Sequence, residues 1–216
     1  MMRLQIINGR WRTWFYSVIS PLGRFIGRMG IHPNVMTIAG LLLSFITGIF
    51  FCAGIFWGGA IMLFFSGICD ALDGTIARET GKGTKSGAFL DSTIDRYSDA
   101  FPLMGLAYYY AGGINFISAG DRMAPDHSPW MVLIVIFIIT GSFVVSYARA
   151  RAEGLGVECR VGLMQRTERV ILLIFGAVLG SIPCAGPYLM NLVLIILAVS
   201  SNCTAISRII YIRGKL

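Results

Sequence analysis

"GGAIMLFFSGICDALDGTIARETGKGTKSGAFLDSTIDRYSDAFPLMGLAYYYAG", residues 58–112, is two apolar windows joined by a short glycine-rich connection, with aspartates crowded at the junction. Each window has roughly the 20 residues that a bilayer-spanning helix needs. The connection "ETGKGTKSG" leaves room only for a tight turn, so the windows read as an antiparallel helical hairpin. Asp70 and Asp73 stand three apart near the end of the first window, and Asp91 and Asp95 four apart near the start of the second. In helices each pair shares a face, and the two pairs meet near one membrane surface. Asp99 continues the second stripe one turn deeper. An ionised carboxylate at the bilayer centre costs roughly 2.5–3.5 kcal/mol on insertion scales, and less near the interface. Such a set demands a compensating partner.

Working outward, further apolar windows lie at about 33–55, 129–152, 164–182 and 187–211. Hydrophobic residues make up 56% of the chain and charged residues 13%, and the mean hydropathy is +0.72. The fold class that follows is all-α: a polytopic membrane protein with six transmembrane helices. Residues 1–30 form a juxtamembrane amphipathic segment and residues 31–216 one six-helix membrane domain. The fifth window is the shortest, since its clean apolar part, Val170 to Ile182, is stopped by Pro183. The N-terminal stretch shows no signal-peptide pattern. It places Trp11, Trp14, Phe15, Val18, Leu22, Phe25 and Ile26 at helical spacing among Arg10, Arg12, Arg24 and Arg28, as an interfacial helix does, with Pro21 breaking it in two.

Charge sets the orientation. With both termini cytosolic, one side of the cell membrane receives the N-terminal arginines, then Arg78, Lys82 and Lys85, then Arg149 to Arg169, then Arg208, Arg213 and Lys215, while Arg122 falls on the other. The net charge of +7 is thus a topology signal under the positive-inside rule and calls for no nucleic acid. Cys52, Cys69, Cys159, Cys184 and Cys203 show no paired spacing, and His32 and His127 stand far apart, so the sequence suggests neither a disulfide framework nor a zinc site.

A tight carboxylate cluster without His or Cys is what hard, oxygen-seeking divalent cations select, and Mg²⁺ or Mn²⁺ fits it. Two such ions can bind a diphosphate and stabilise both the attacking and the leaving oxygen of a displacement. Gly74 and Ala77 share the stripe of Asp70 and leave a bare helix surface for a nucleotide, Arg78 adds a fixed positive charge for phosphate oxygens, and Gly87 opens the next helix facing the gap. Small residues also pack membrane helices together. The whole set beside four aspartates points to a site.

Asp70, Asp73, Gly74, Ala77, Arg78, Gly87, Asp91 and Asp95, eight positions over 26 residues, resemble the D-x₂-D-G-x₂-A-R-x₈-G-x₃-D-x₃-D signature of the CDP-alcohol phosphotransferase family. The resemblance implies an enzyme that takes CDP-diacylglycerol or a related CDP-lipid and transfers its phosphatidyl group to an alcohol, releasing CMP. It implies Asp70, Asp73 and Asp91 as metal ligands, and Asp95 as the residue that accepts the attacking hydroxyl's proton while touching the second metal. It also implies a nucleotide site that takes in Asn34 and Thr37 beside "HPN" and Thr84 at the head of the third span, and a homodimeric assembly.

The acceptor alcohol must be read elsewhere. "SYARARAEGLGVECRVGLMQRTER", residues 146–169, clusters Arg149, Arg151, Arg160, Arg166 and Arg169, and Arg208 adds a cation inside the last span. Arginines beside a phosphotransfer site suit an acceptor that already carries a phosphate. The stretch is similar to that of the prokaryotic phosphatidylinositol phosphate synthases, whose SY-x-K-A-R-A-E and E-R-x-E-R segments imply an acceptor-phosphate pocket. Arg149 stands at the lysine position, Arg151, Arg166, Arg169 and Arg208 match, and Gln165 replaces a glutamate. Inositol 1-phosphate is the expected acceptor and glycerol 3-phosphate the alternative. A cation transporter, the competing class, would place acidic groups near the midplane of several spans. Here spans one, four, five and six contain no aspartate.

Overall fold

The computed structural model describes residues 20–81, 84–112, 128–159 and 161–216. Its helices are α1 Pro33–Cys52, α2 Phe56–Thr80, α3 Lys85–Tyr110, α4 Pro129–Gly154, α5 Arg166–Gly180 and α6 Gly186–Arg213. A helical segment over 20–28 precedes them, and there is no strand among the described residues. Every expected window lies on one of these helices. By length and apolar composition α1, α2, α4 and α6 are able to cross a bilayer. The other two fall short for different reasons: α3 carries Asp95, Arg96 and Asp99 in its middle, and α5 has 15 residues.

Local chemistry sets the boundaries. His32 caps α1 by accepting from the Asn34 amide, with Pro33 following in the first turn. Gly81, at φ 64°, ends α2 in the left-handed region, and Thr84 opens α3 by accepting from the Gly87 amide at 2.9 Å. Ser128 and Pro129 start α4. Gln165 stands at the N-cap of α5, where its amide donates to Glu168 Oε2 at 2.8 Å.

Principal packing runs in a closed ring, α1–α3–α4–α6–α5–α2 and back to α1. The expected hairpin is therefore modified: α2 and α3 are consecutive, yet each packs chiefly on α1 rather than on the other. Small residues let α1 approach both. A Cβ on Gly40 would stand 3.4 Å from Cys69 Cβ on α2, and one on Gly48 would stand 2.6 Å from the Phe101 carbonyl on α3. Gly105 meets the Gly48 carbonyl from the other side, so the two backbones touch there. Ser66 Oγ donates to the Gly40 carbonyl at 2.8 Å and Ser44 Oγ to the Ser98 carbonyl at 2.5 Å.

The main core fills one half of the ring. Phe51, Phe56, Leu63, Leu103, Leu106, Val135, Ile138, Leu173, Met190, Leu194 and Leu197 are all buried in one cluster. These are the C-terminal end of α1, the first half of α2, α4 and α6, the second half of α3 and the middle of α5. Around the outside, Leu42, Ile49, Phe64, Ile136, Phe175, Ile196 and Val199 are exposed, an apolar girdle suited to lipid. Trp57, Trp130 and Tyr188, also exposed, stand in the first turns of three helices that begin at the same end, where an aromatic belt belongs. The protein is a membrane protein.

Of the expected interfacial helix, Trp11, Trp14, Phe15, Val18, Arg10 and Arg12 lie outside the described residues, as do Lys82, Arg122, His127 and Arg160. The described part is helical through Pro21 and packs on α2: Ile26 joins Leu72 and Ile76, and a Cβ on Gly23 would stand 2.7 Å from Thr75 Cγ2.

Candidate active site

The other half of the ring is polar. Late α2 supplies Asp70 and Asp73, and early α3 supplies Asp91, Asp95 and Asp99 along one stripe. Asp70, Asp91 and Asp95 each bring a carboxylate oxygen within 4.8 Å of the others. The packing explains how: α1 wedges α2 and α3 apart, leaving a gap that the carboxylates line. Asp73 sits at its wall, 7% exposed, with Oδ2 accepting from Thr37 Oγ1 at 2.8 Å. Thr37, expected beside the nucleotide, thus spends its hydroxyl on a carboxylate.

α5 reaches into this gap from the opposite side. Arg166 Nη1 lies 2.7 Å from Asp70 Oδ1 and 2.9 Å from Asp95 Oδ1, and its Nε lies 2.9 Å from Asp99 Oδ1. Arg169 Nη2 lies 3.2 Å from Asp99 Oδ2. Arg96 Nη1 is 3.9 Å from Asp95 and donates to the Ser92 carbonyl. Among the described residues the candidate metal ligands at the gap are carboxylates, and Asp70, Asp95 and Asp99 share the Arg166 guanidinium. The set fits a hard divalent cation, which prefers oxygen ligands and would offset the remaining negative charge.

The expected nucleotide residues form two groups. A Cβ on Gly87 would stand 3.1 Å from Thr84 Oγ1 and 3.4 Å from Asn34 Oδ1, so α1 and the head of α3 converge on a bare backbone. On α2, a Cβ on Gly74 would stand 3.4 Å from Arg78 Nη1, and Arg78 Nη2 donates to Thr75 Oγ1 at 3.3 Å. Ala77 is half-buried beside them. Side chains in place of these glycines would fill the cradle.

The expected acceptor arginines divide. Arg166 lies on the aspartates. Arg208 is buried, donating through Nε to the Val161 carbonyl at 2.9 Å and through Nη1 to the Val145 carbonyl at 2.7 Å. Arg169 pairs with Asp99 at 3.2 Å. Arg149 pairs with Glu153 at 2.9 Å, and both Arg149 and Arg151 are exposed. Two participants escaped the sequence analysis: Asp99 as the anchor of two arginines, and Thr37 as the support of Asp73. The signal for Asp99 was its spacing, four residues past Asp95.

A helical membrane bundle with an acid-lined, arginine-flanked gap at one end defines a class of integral membrane proteins that handle phosphorylated ligands. Residues 30–203 match the family model described as CDP-alcohol phosphatidyltransferase, and the chain belongs to that family. It is accordingly a transferase. The phosphatidylinositol phosphate synthase of Mycolicibacterium smegmatis is 32% identical over 204 residues, 94% of this chain and 86% of that one. The archaetidylinositol phosphate synthase of Methanothermobacter thermautotrophicus is 33% identical over 189 residues, 88% of this chain and 87% of that one. The crystal structure of Mycobacterium tuberculosis phosphatidylinositol phosphate synthase with CDP-DAG bound superposes with a TM-score of 0.75 at 32% identity, covering 91% of this chain and 94% of that one. The same enzyme in complex with manganese and citrate also gives 0.75 at 32%, covering 90% and 88%. Family membership sets aside the cation-pathway reading.

Proposed function

We propose that this protein transfers the phosphatidyl group of CDP-diacylglycerol, or of a related CDP-lipid, to inositol 1-phosphate, giving phosphatidylinositol phosphate and CMP. The observation that carries the proposal is the placement of α5, whose first turn sets Arg166 and Arg169 directly against the aspartate gap. A phosphorylated acceptor brings an anion to that place, and guanidiniums are suited to hold it. Relatives that differ in the lipid they are named for share the inositol phosphate.

In this reading Asp70, Asp73, Asp91 and Asp95 hold two divalent ions, Mg²⁺ or Mn²⁺, which when bound neutralise the diphosphate and the departing CMP. Asn34, Thr84, Gly87, Gly74, Ala77 and Arg78 seat the nucleotide, and Arg149, Arg151, Arg166, Arg169 and Arg208 receive the acceptor's phosphate. The acceptor's hydroxyl oxygen bonds to the phosphatidyl phosphorus, the bond from that phosphorus to the bridging oxygen breaks, and CMP leaves with the oxygen. Asp95 orients the hydroxyl and takes its proton. α3 and α5 complete a six-span bundle, since the charges of α3 face the gap rather than lipid. The gap opens to the cytosol, where the positive-inside rule places the termini, and the chain assembles as the homodimer that its family resemblance implies.

The test is CMP release by the detergent-purified protein with CDP-diacylglycerol and Mg²⁺, offering inositol 1-phosphate, glycerol 3-phosphate, serine and free inositol separately. Release with inositol 1-phosphate alone is expected. Release with glycerol 3-phosphate or an unphosphorylated alcohol instead would overturn the acceptor, and an ether-linked donor preferred over the diacyl one would redefine the lipid.

A further inference from the structure

Asp99 lies outside the eight-position signature, one turn deeper than Asp95. Its two oxygens are divided between two arginines of α5: Oδ1 accepts from Arg166 Nε at 2.9 Å and Oδ2 from Arg169 Nη2 at 3.2 Å. The contact is internal, with the side chain of Asp99 13% exposed and that of Arg169 7%. In such surroundings removing one partner of an ion pair leaves the other charge uncompensated. Arg166 and Arg169 are three apart in the first turn of α5 and so share a face. One carboxylate on α3 therefore sets the orientation of both guanidiniums on α5, two helices that are not principal packing partners.

What each arginine has left over is informative. Arg166 turns Nη1 toward Asp70 and Asp95. Among the described residues Arg169 Nη1 is buried without a hydrogen-bond partner, a costly arrangement unless a ligand or water uses the donor. Packing does not hold this side chain on every side. Arg169 and Asp99 border a cavity of about 30 Å³ that Ser98, Ser142 and Leu197 also line, large enough for water and too small for a substrate. The carboxylate gives Arg169 its ion pair at the edge of that cavity.

We infer that Asp99 is a positioning residue, which holds the guanidiniums of Arg166 and Arg169 at the acceptor's phosphate without itself touching either substrate. The inference rests on the phosphorylated-acceptor reading above. Asp99→Asn keeps the shape and one accepting oxygen, but it turns an amide toward the second guanidinium and removes the charge. With the full-length protein, CDP-diacylglycerol and Mn²⁺, this variant should raise the acceptor's KM roughly tenfold or more, the scale of one lost charge-assisted hydrogen bond. The donor's KM should stay near that of the wild type when assayed at a temperature where the variant, although it melts lower for want of the buried charge, is fully folded. Asp99→Glu, which restores the charge, should bring the acceptor's KM back toward the wild-type value.

A residue serving stability alone would move both KM values together and gain nothing from the glutamate. An equal rise in both, or an unchanged acceptor KM, overturns the role of Asp99 while leaving the acceptor intact. Where Asp99→Asn does not fold, Asp99→Glu carries the test: its charge rescues most of the pairing but its extra methylene leaves the guanidiniums displaced, so the acceptor's KM should stand a few-fold above the wild type, below the rise expected for the asparagine, while the donor's KM does not move. Wild-type turnover of free inositol but not inositol 1-phosphate overturns the acceptor reading, and the role of Asp99 with it, in the wild-type arm by itself.

Discussion

The two halves of the ring obey opposite rules. From Phe51 to Leu106 and from Val135 to Leu197 the interior is filled by side chains that need nothing but one another. In the other half the same helices carry Asp70, Asp91, Asp95 and Asp99 facing Arg166, and Asp73 facing Thr37. The contrast teaches how a short chain holds like charges together inside a membrane: the apolar half fixes the spacing of the helices, and the polar half keeps its gap.

The sharpest way to break the comparison is to change the polar half without disturbing the apolar one. Asp95→Asn should lower turnover by roughly 10²–10⁴-fold, the range for loss of a positioned acid–base group, while CDP binding by calorimetry persists. Asp91→Asn should abolish Mn²⁺-dependent CDP binding as well, and CDP affinity unaltered by it would sink the metal assignment. Next in size is Thr37→Val, which frees Asp73 and should weaken apparent Mn²⁺ affinity roughly 10–100-fold, as losses of supporting contacts to metal ligands do. Arg208→Ala should raise the acceptor's KM about tenfold and the donor's far less, as a substrate titration of CMP release will show. The smallest catalytic effect belongs to the apolar half. Leu194→Ala should destabilise by about 2 kcal/mol or more, seen as a lower melting temperature, with turnover per folded molecule within about twofold of the wild type.

Much of this was legible in the sequence because it is local. Prolines at Pro33 and Pro129 and glycine at Gly81 mark helix boundaries, and the three- and four-residue spacings put the aspartates on common faces by helical geometry alone. The ring order is not local. Nothing in the composition of α1 says that it separates α2 from α3, because its glycines look alike whether they face a neighbour or lipid. For the same reason Thr37 and Arg208 stand out in the sequence as candidates, while the Asp73 oxygen and the Val145 and Val161 carbonyls that engage them do not. Gln165 shows the reverse case: its exchange for glutamate is visible in the sequence, and its place at the N-cap of α5 only in the structure.

The contact between Gly48 and Gly105 has a mechanical side. Asp95 lies ten residues from Gly105 along α3, a lever arm of about 15 Å at the helical rise. Backbones that touch there make a fulcrum, and tilting α3 by about four degrees around it carries Asp95 about 1 Å, a displacement that costs enzymes on the order of a hundredfold in rate. A methyl group added at Gly105, remote from every charged residue of the gap, would act on the chemistry through torque.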